Sequence, residues 1–95
     1  MRSGSAMKVR RSGDWLAAKV GNDLVMMSAK EGNYIGLNEV GSRIWELLDE
    51  PRDVDDICTQ LQAEFAVPRD VCFGEVQNFL KELEGHGAIV LAPAE

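Results

Sequence analysis

Apolar positions along this chain repeat with two periods. Between residues 15 and 37 they alternate, and beyond residue 38 they recur every three or four residues. Trp15 to Val20 reads as a first, alanine-rich strand. Gly21-Asn22-Asp23 is a turn signal. Leu24 to Ser28 reads as a second strand, with Leu24 and Met26 on one face and Val25 and Met27 on the other. Lys30-Glu31-Gly32-Asn33 is a second turn, in which Gly32 is suited to positive φ. Tyr34 to Leu37 is a third strand, with Ile35 and Leu37 on one face and Tyr34 on the other. Two short turns joining three strands predict an antiparallel meander.

After Asn38 the pattern is helical. Val40, Ile44, Leu47 and Leu48 form a stripe, Asn38 is a sound N-cap and Pro51 is a stop. Asp53 caps a second helix whose stripe is Val54, Ile57, Cys58, Leu61 and Phe65, and Asp55 and Asp56 favour its positive end. Past Pro68 a third helix is predicted over Arg69 to Glu84, with Gly85 as C-cap. Its apolar residues Cys72, Phe73, Val76, Phe79, Leu80 and Leu83 fall within an arc of about 120°. Ile89-Val90-Leu91 is a short apolar segment able to lie back on the core. Met1 to Met7 looks like an expression scar, and the polar, basic residues 8 to 13 look like a frayed arm. The domain is expected over 14–92, with 93–95 as a tail. The fold class that follows is α+β and winged-helix-like: a three-stranded antiparallel β-meander followed by three α-helices.

Composition narrows the function. A chain of 95 residues that is 45% apolar has room for one modest core. Sixteen acidic against ten basic residues give a net charge of −6, a field that repels phosphate backbones. The two cysteines, Cys58 and Cys72, sit on apolar helix positions with no Cys-x-x-Cys spacing and no signal peptide ahead of them. A reduced, cytoplasmic protein is expected, with no membrane span.

Catalytic chemistry finds no support. His86 is the only histidine, and Cys72 is the one thiol it would serve as base. Fourteen residues of helix put them about 20 Å apart, whereas a nucleophile and base must approach to about 3 Å. The acidic group Asp49, Glu50, Asp53, Asp55 and Asp56 lacks the loop pattern of a calcium site and reads as helix-end charge. Gly36 and Gly41 do not form a phosphate-binding motif. Neither metal nor cofactor is expected. The arm residues Lys8, Arg10 and Arg11 would suit DNA contacts, but the exposed faces of the second and third helices are predominantly acidic.

A peptide site is the chemistry this pattern allows. If the third strand lies at a sheet edge, Asn33 to Leu37 offers main-chain N–H and C=O groups to a guest strand, and the third helix forms the opposite wall. The competing reading is that the edge is covered by the chain's own tail or a second copy and that the helix stripe is only core.

Four segments in order resemble a known family: Tyr34-Ile35-Gly36-Leu37-Asn38; Gly41-Ser42-Arg43-Ile44-Trp45-Glu46-Leu47-Leu48; Val54 with Ile57 and Leu61; and Glu75-Val76-Gln77-Asn78-Phe79-Leu80 with Leu83 and Gly87. Together they look like the PqqD family, the precursor-peptide recognition elements of ribosomally made, post-translationally modified peptides. The resemblance covers about residues 15 to 91. It implies three strands followed by three helices, with the leader segment of a precursor peptide bound as an added strand. It implies backbone partners at Asn33, Tyr34, Ile35, Gly36 and Leu37, and a wall drawn from Cys72, Phe73, Val76, Phe79 and Leu80. Members serving pyrroloquinoline quinone synthesis carry Gly after the first helix and Gly-Trp near the end. Here Asp49-Glu50-Pro51-Arg52 and Gly87-Ala88-Ile89 stand in those places. The Glu-Pro-Arg turn is more similar to the stand-alone recognition proteins of lasso-peptide clusters, which work with a separate cysteine protease that removes the leader and an ATP-dependent cyclase. The function implied is a non-catalytic leader-binding adaptor. The alternatives are a quinone-precursor chaperone working with a radical SAM enzyme and, in another class, a winged-helix DNA-binding regulator.

Overall fold

The computed structural model describes residues 7–93. The chain runs β1 (Met7–Arg11), β2 (Trp15–Val20), β3 (Asp23–Ser28), β4 (Tyr34–Leu37), α1 (Glu39–Leu47), β5 (Arg52–Asp53), α2 (Val54–Glu64), α3 (Arg69–Gly85) and β6 (Ile89–Pro93). The predicted meander is present as the antiparallel sheet β2-β3-β4. Its first hairpin pairs Val20 with Asp23 across a two-residue loop that opens with Gly21 at φ 67°, the residue type a tight hairpin of this length needs. The second turn closes with Gly32 at φ 74°, its N–H donating to the Ser28 carbonyl at 2.7 Å. Alternation holds on β3: Leu24 and Met26 are buried, and Val25 faces solvent.

The three helices form where the stripes place them. The Asn38 side chain accepts from the Gly41 N–H at 2.9 Å, and that of Asp53 from the Asp56 N–H at 2.8 Å, so both predicted caps satisfy helix-end donors. Ile44, Leu47, Leu48, Ile57, Leu61, Val76, Leu80 and Leu83 fill the core. The end of α3 lies beyond the expected cap. Gly85 is helical, and Gly87 takes the left-handed conformation at φ 77°. The Gly87 N–H donates to Glu84 O at 3.0 Å and the Ala88 N–H to Leu83 O at 2.9 Å, a Schellman ending that glycine at this position makes easy.

The main correction is at the start of the described chain. Residues 8 to 13, expected as a frayed arm, contribute most of β1, the middle strand of a second sheet ordered β5-β1-β6. Lys8 pairs with Asp53, and Arg11 with Ile89. Val9 is completely buried, which explains why a segment of basic residues is ordered: one apolar side chain enters the core while the main chain is bonded on both sides. Met7 opens this strand, and the rest of the expected expression scar lies outside the described residues. The apolar segment at Ile89 does return to the core, as β6. Among the described residues no helix is long and apolar enough to cross a membrane.

Arg11 closes the packing of α1. The helix has no basic residue in its own last turn. Its final carbonyls are served from outside, Trp45 O by the Arg11 guanidinium and Leu47 O by that of Arg52. Arg11 also stacks 4.4 Å from the centre of the Trp45 ring. A positive charge at a helix C-terminus and over an aromatic face is favourable on both counts.

Candidate functional site

In the meander β4 is an edge strand. Which of its main-chain groups are open follows from register. The Ser28 N–H donates to Asn33 O at 2.8 Å, and Ile35 and Leu37 stand opposite Met26 and Leu24. Hydrogen-bonded and non-bonded pairs alternate along an antiparallel ladder. Asn33, Ile35 and Leu37 therefore turn their main-chain groups toward β3, and Tyr34 and Gly36 turn theirs outward. Of the five consecutive backbone partners expected from the sequence, Tyr34 and Gly36 are the two with groups free on this edge.

Beside the edge lies a groove. A cavity of about 210 Å³ is bounded by Ile35, Gly36, Leu37 and Asn38 on one side and by Phe79, Glu82, Leu83 and His86 of α3 on the other. A second cavity of about 380 Å³ continues it between α1, the α2–α3 connection and α3, where Gly41, Ile44, Phe65, Val67, Cys72 and Val76 line it. Asn38, Phe79 and Glu82 border both. The Phe79 ring thus stands at the junction, half-buried against the core. The larger cavity has the size of a small-ligand pocket, and the pair together runs alongside the open strand.

The structure divides the expected wall residues. Cys72, Val76 and Phe79 line the groove. Phe73 and Leu80 do not; Leu80 borders a separate cavity with Val54 and Leu91 on another flank. The reason is helical rotation. At about 100° per residue, Phe79, Cys72, Leu83 and Val76 span about 60°, whereas Leu80 and Phe73 lie about 80° and 100° round from Cys72. One apolar arc faces both core and groove, and periodicity does not divide it. Residues that sequence reasoning passed over include Asn38, Phe65, Val67, Glu75, Glu82 and His86. Asn38 and Phe65 had been assigned helix-end and core roles, and only the folded topology brings them to a shared surface. Both outer strands of the meander present an edge, but no residue of β2 lines either cavity, so of these two edges it is β4 that combines open main chain with side-chain pockets.

The groove is acidic at its rim, through Glu75 and Glu82, and neither lysine nor arginine lines it. Cys58 is buried against Cys72, and burial first, then the neighbouring thiol, pushes its pKa up to about 11; a protonated thiol is a poor nucleophile. Cys72 and His86 stand near opposite ends of the continuous helix α3. Of the basic arm residues, Arg11 is held by Trp45.

Comparison with known proteins adds the following. The family model for coenzyme PQQ synthesis protein D (PqqD) matches residues 23–89. Among solved structures, the chain is similar to TbiB1 in complex with the TbiA(beta) leader peptide, with 30% identity over 84% of this chain and 93% of that one and a TM-score of 0.77. It shares the fold of lasso peptide synthetase B1 complexed with the leader peptide, at 22% identity over 86% and 96% of the two chains and a TM-score of 0.74. The comparison with curated proteins gives no significant match.

Proposed function

Because the chain belongs to the PqqD family, we propose that it is a non-catalytic adaptor that captures the leader segment of a ribosomally made precursor peptide. The guest pairs as an added strand with Tyr34 and Gly36, and its apolar side chains enter the groove around Phe79. The observation that carries this reading is the coincidence of an open β4 edge with a groove along the same strand. Main-chain pairing supplies affinity, and pockets for alternate side chains supply selectivity. The similarity to TbiB1 and the fold shared with lasso peptide synthetase B1, each found with a leader peptide, together with the Glu50-Pro51-Arg52 turn, support the lasso-peptide type over the quinone-precursor type. The adaptor acts in the cytoplasm and presents the peptide to a separate cysteine protease that removes the leader. Tethering raises the local substrate concentration at the enzyme without new chemistry.

A fluorescent leader peptide from the precursor gene encoded beside this chain, titrated at two salt concentrations, tests the reading. Saturable binding at micromolar or lower concentration with weak salt dependence is expected. Gly36→Pro is the informative variant. Its N–H points away from β3, so proline removes a donor that the sheet itself does not use. A lost hydrogen bond that leaves a guest carbonyl unpaired costs about 1–2 kcal/mol, a fall in affinity of about tenfold. Circular dichroism should show the variant folded. Absence of leader binding by folded wild-type protein would sink the reading, and unchanged affinity in Gly36→Pro would exclude pairing through Gly36.

A further inference from the structure

The second sheet has an open edge of its own. Among the described residues β6 pairs only with β1, so one side of it is free. The Ser12 N–H donates to Ala88 O at 2.8 Å, and further along Arg10 stands opposite Val90 and Val9 opposite Leu91. By the alternation of an antiparallel ladder, Val90 and Ala92 turn their main-chain groups toward β1, and Ile89 and Leu91 turn theirs away. Ile89 and Leu91 each present an N–H and a C=O on that free side, whereas Pro93 presents a C=O alone.

The two faces beside this edge differ in chemistry. On the inner face Val9 and Ile89 are buried, but Leu91 is 41% exposed. It borders a cavity of about 270 Å³ with Val54 and Leu80, at whose rim stand Lys81 and Glu84. On the outer face Val90 is 37% exposed, with Arg10 opposite it and Lys8 on the same face. Arg11 and Arg52 serve the end of α1, whereas Arg10 and Lys8 make no ion pair among the described residues. The acidic residue paired into this face is Asp53, opposite Lys8, and its carboxylate already caps α2. An open edge thus runs between an apolar hollow and a cationic face, in a chain whose net charge is −6. A second copy is a poor occupant. Edge-to-edge pairing would set two cationic faces side by side, and Pro93, without an N–H, would leave a carbonyl of the opposing strand unpaired.

We propose that the β6 edge docks a short extended segment of a partner protein in which apolar and acidic side chains alternate. The main chain of that segment pairs with Ile89 and Leu91. Its apolar side chains enter the hollow around Leu91, Leu80 and Val54, and its acidic ones lie on the outer face toward Arg10 and Lys8. Arg10 is two strands away from such a guest, about 10 Å, a gap that an arginine and a glutamate span between them across the small Val90. The site goes beyond leader capture and does not depend on it, because β4 and β6 are edges of different sheets. With both edges filled, the protein bridges two chains and raises the concentration of each near the other.

The probe is a short fluorescent synthetic peptide in which glutamate alternates with valine and leucine. Wild-type protein should bind it saturably. A version N-methylated at every residue keeps the side chains and loses the main-chain donors, and it should bind at least about tenfold more weakly. A version with lysine in place of glutamate should also bind about tenfold more weakly. Arg10→Glu should invert that preference, and Leu91→Ala should weaken the glutamate peptide severalfold. Neither residue lines the leader groove, so both variants should hold the leader within about twofold of wild type, and circular dichroism should show them folded. Probe binding that is undetectable for wild type, indifferent to N-methylation, or unchanged in charge preference by Arg10→Glu overturns the proposal. So does a wild-type dimer, seen by sedimentation, that Leu91→Pro converts to monomer. A folded wild-type protein that binds the probe and not the leader would end the adaptor reading while leaving this site in place.

Discussion

Gly41 and Ser42 are neighbours on α1 with opposite lessons. A Cβ at Gly41 would lie 3.0 Å from Cε1 and 3.2 Å from Cζ of Phe79, and 3.4 Å from Leu37 Cβ. Gly41→Ala gains up to about 1 kcal/mol in helix propensity, and it pushes the Phe79 ring toward the cavities it borders. Denaturant unfolding should show a net change under about 1 kcal/mol, while the leader titration should show a severalfold loss of affinity. Unchanged affinity would mean that the ring's position does not matter to binding. Ser42 is buried, and its hydroxyl has no hydrogen-bond partner among the described residues. Ser42→Ala removes that desolvated group and improves helix propensity, so unfolding should show about 1 kcal/mol of added stability. A loss of stability would reveal a partner for the hydroxyl. Sequence reasoning finds the positive φ of Gly32, because a turn between two alternating runs requires it. It does not find the crowding at Gly41, because the ring that crowds it is 38 positions further along the chain.

Among elements, the helices were legible because each carries its own stripe and cap. What joins them was not. Arg43 Nε reaches Glu64 Oε1 at 2.7 Å and ties α1 to the last residue of α2. That guanidinium, through its hydrogen bonds first, holds the Glu64 carboxyl below its usual 4.5, with burial opposing it. The folded value thus lies below the unfolded one. The contribution to stability is present above pH 4.5 and fades as the pH falls through the folded value. Glu64→Gln should cost under about 1 kcal/mol at pH 7, as for a largely solvated pair, and its unfolding curve should converge with that of wild type on acidification. A difference that persists at pH values below the folded titration of Glu64 would assign the loss to packing. β1 shows the opposite limit. Its lone buried residue, Val9, has charged neighbours on both sides, so no period announces a strand. The partners that order it, β5 and β6, come from distant parts of the chain.

At the level of the whole molecule, the meander supplies the proposed site and the second sheet fastens the two ends of the helical core. The edge strand was readable from alternation, whereas the choice of Tyr34 and Gly36 as its open positions depends on pairing register, which alternation alone does not fix. Removing residues 1–12 takes away the middle strand of the second sheet, the buried Val9 and the Arg11 contacts with α1. A loss of at least about 3 kcal/mol is expected from one buried side chain and the ladder together. For a domain of this size that lowers Tm by more than about 10 °C, which thermal circular dichroism will read. An unchanged Tm would show that β1 only decorates the core. The register of β1 on β6 also sets an order of events in time. Val9 meets Leu91, about eighty residues later in the chain. A nascent chain leaving the ribosome can wind its helices and close its hairpins as they emerge, since those contacts are local. The first strand must wait, with its longer edge unmatched, for the last one to be made, so the closing of this protein is a step that follows translation of nearly everything described here.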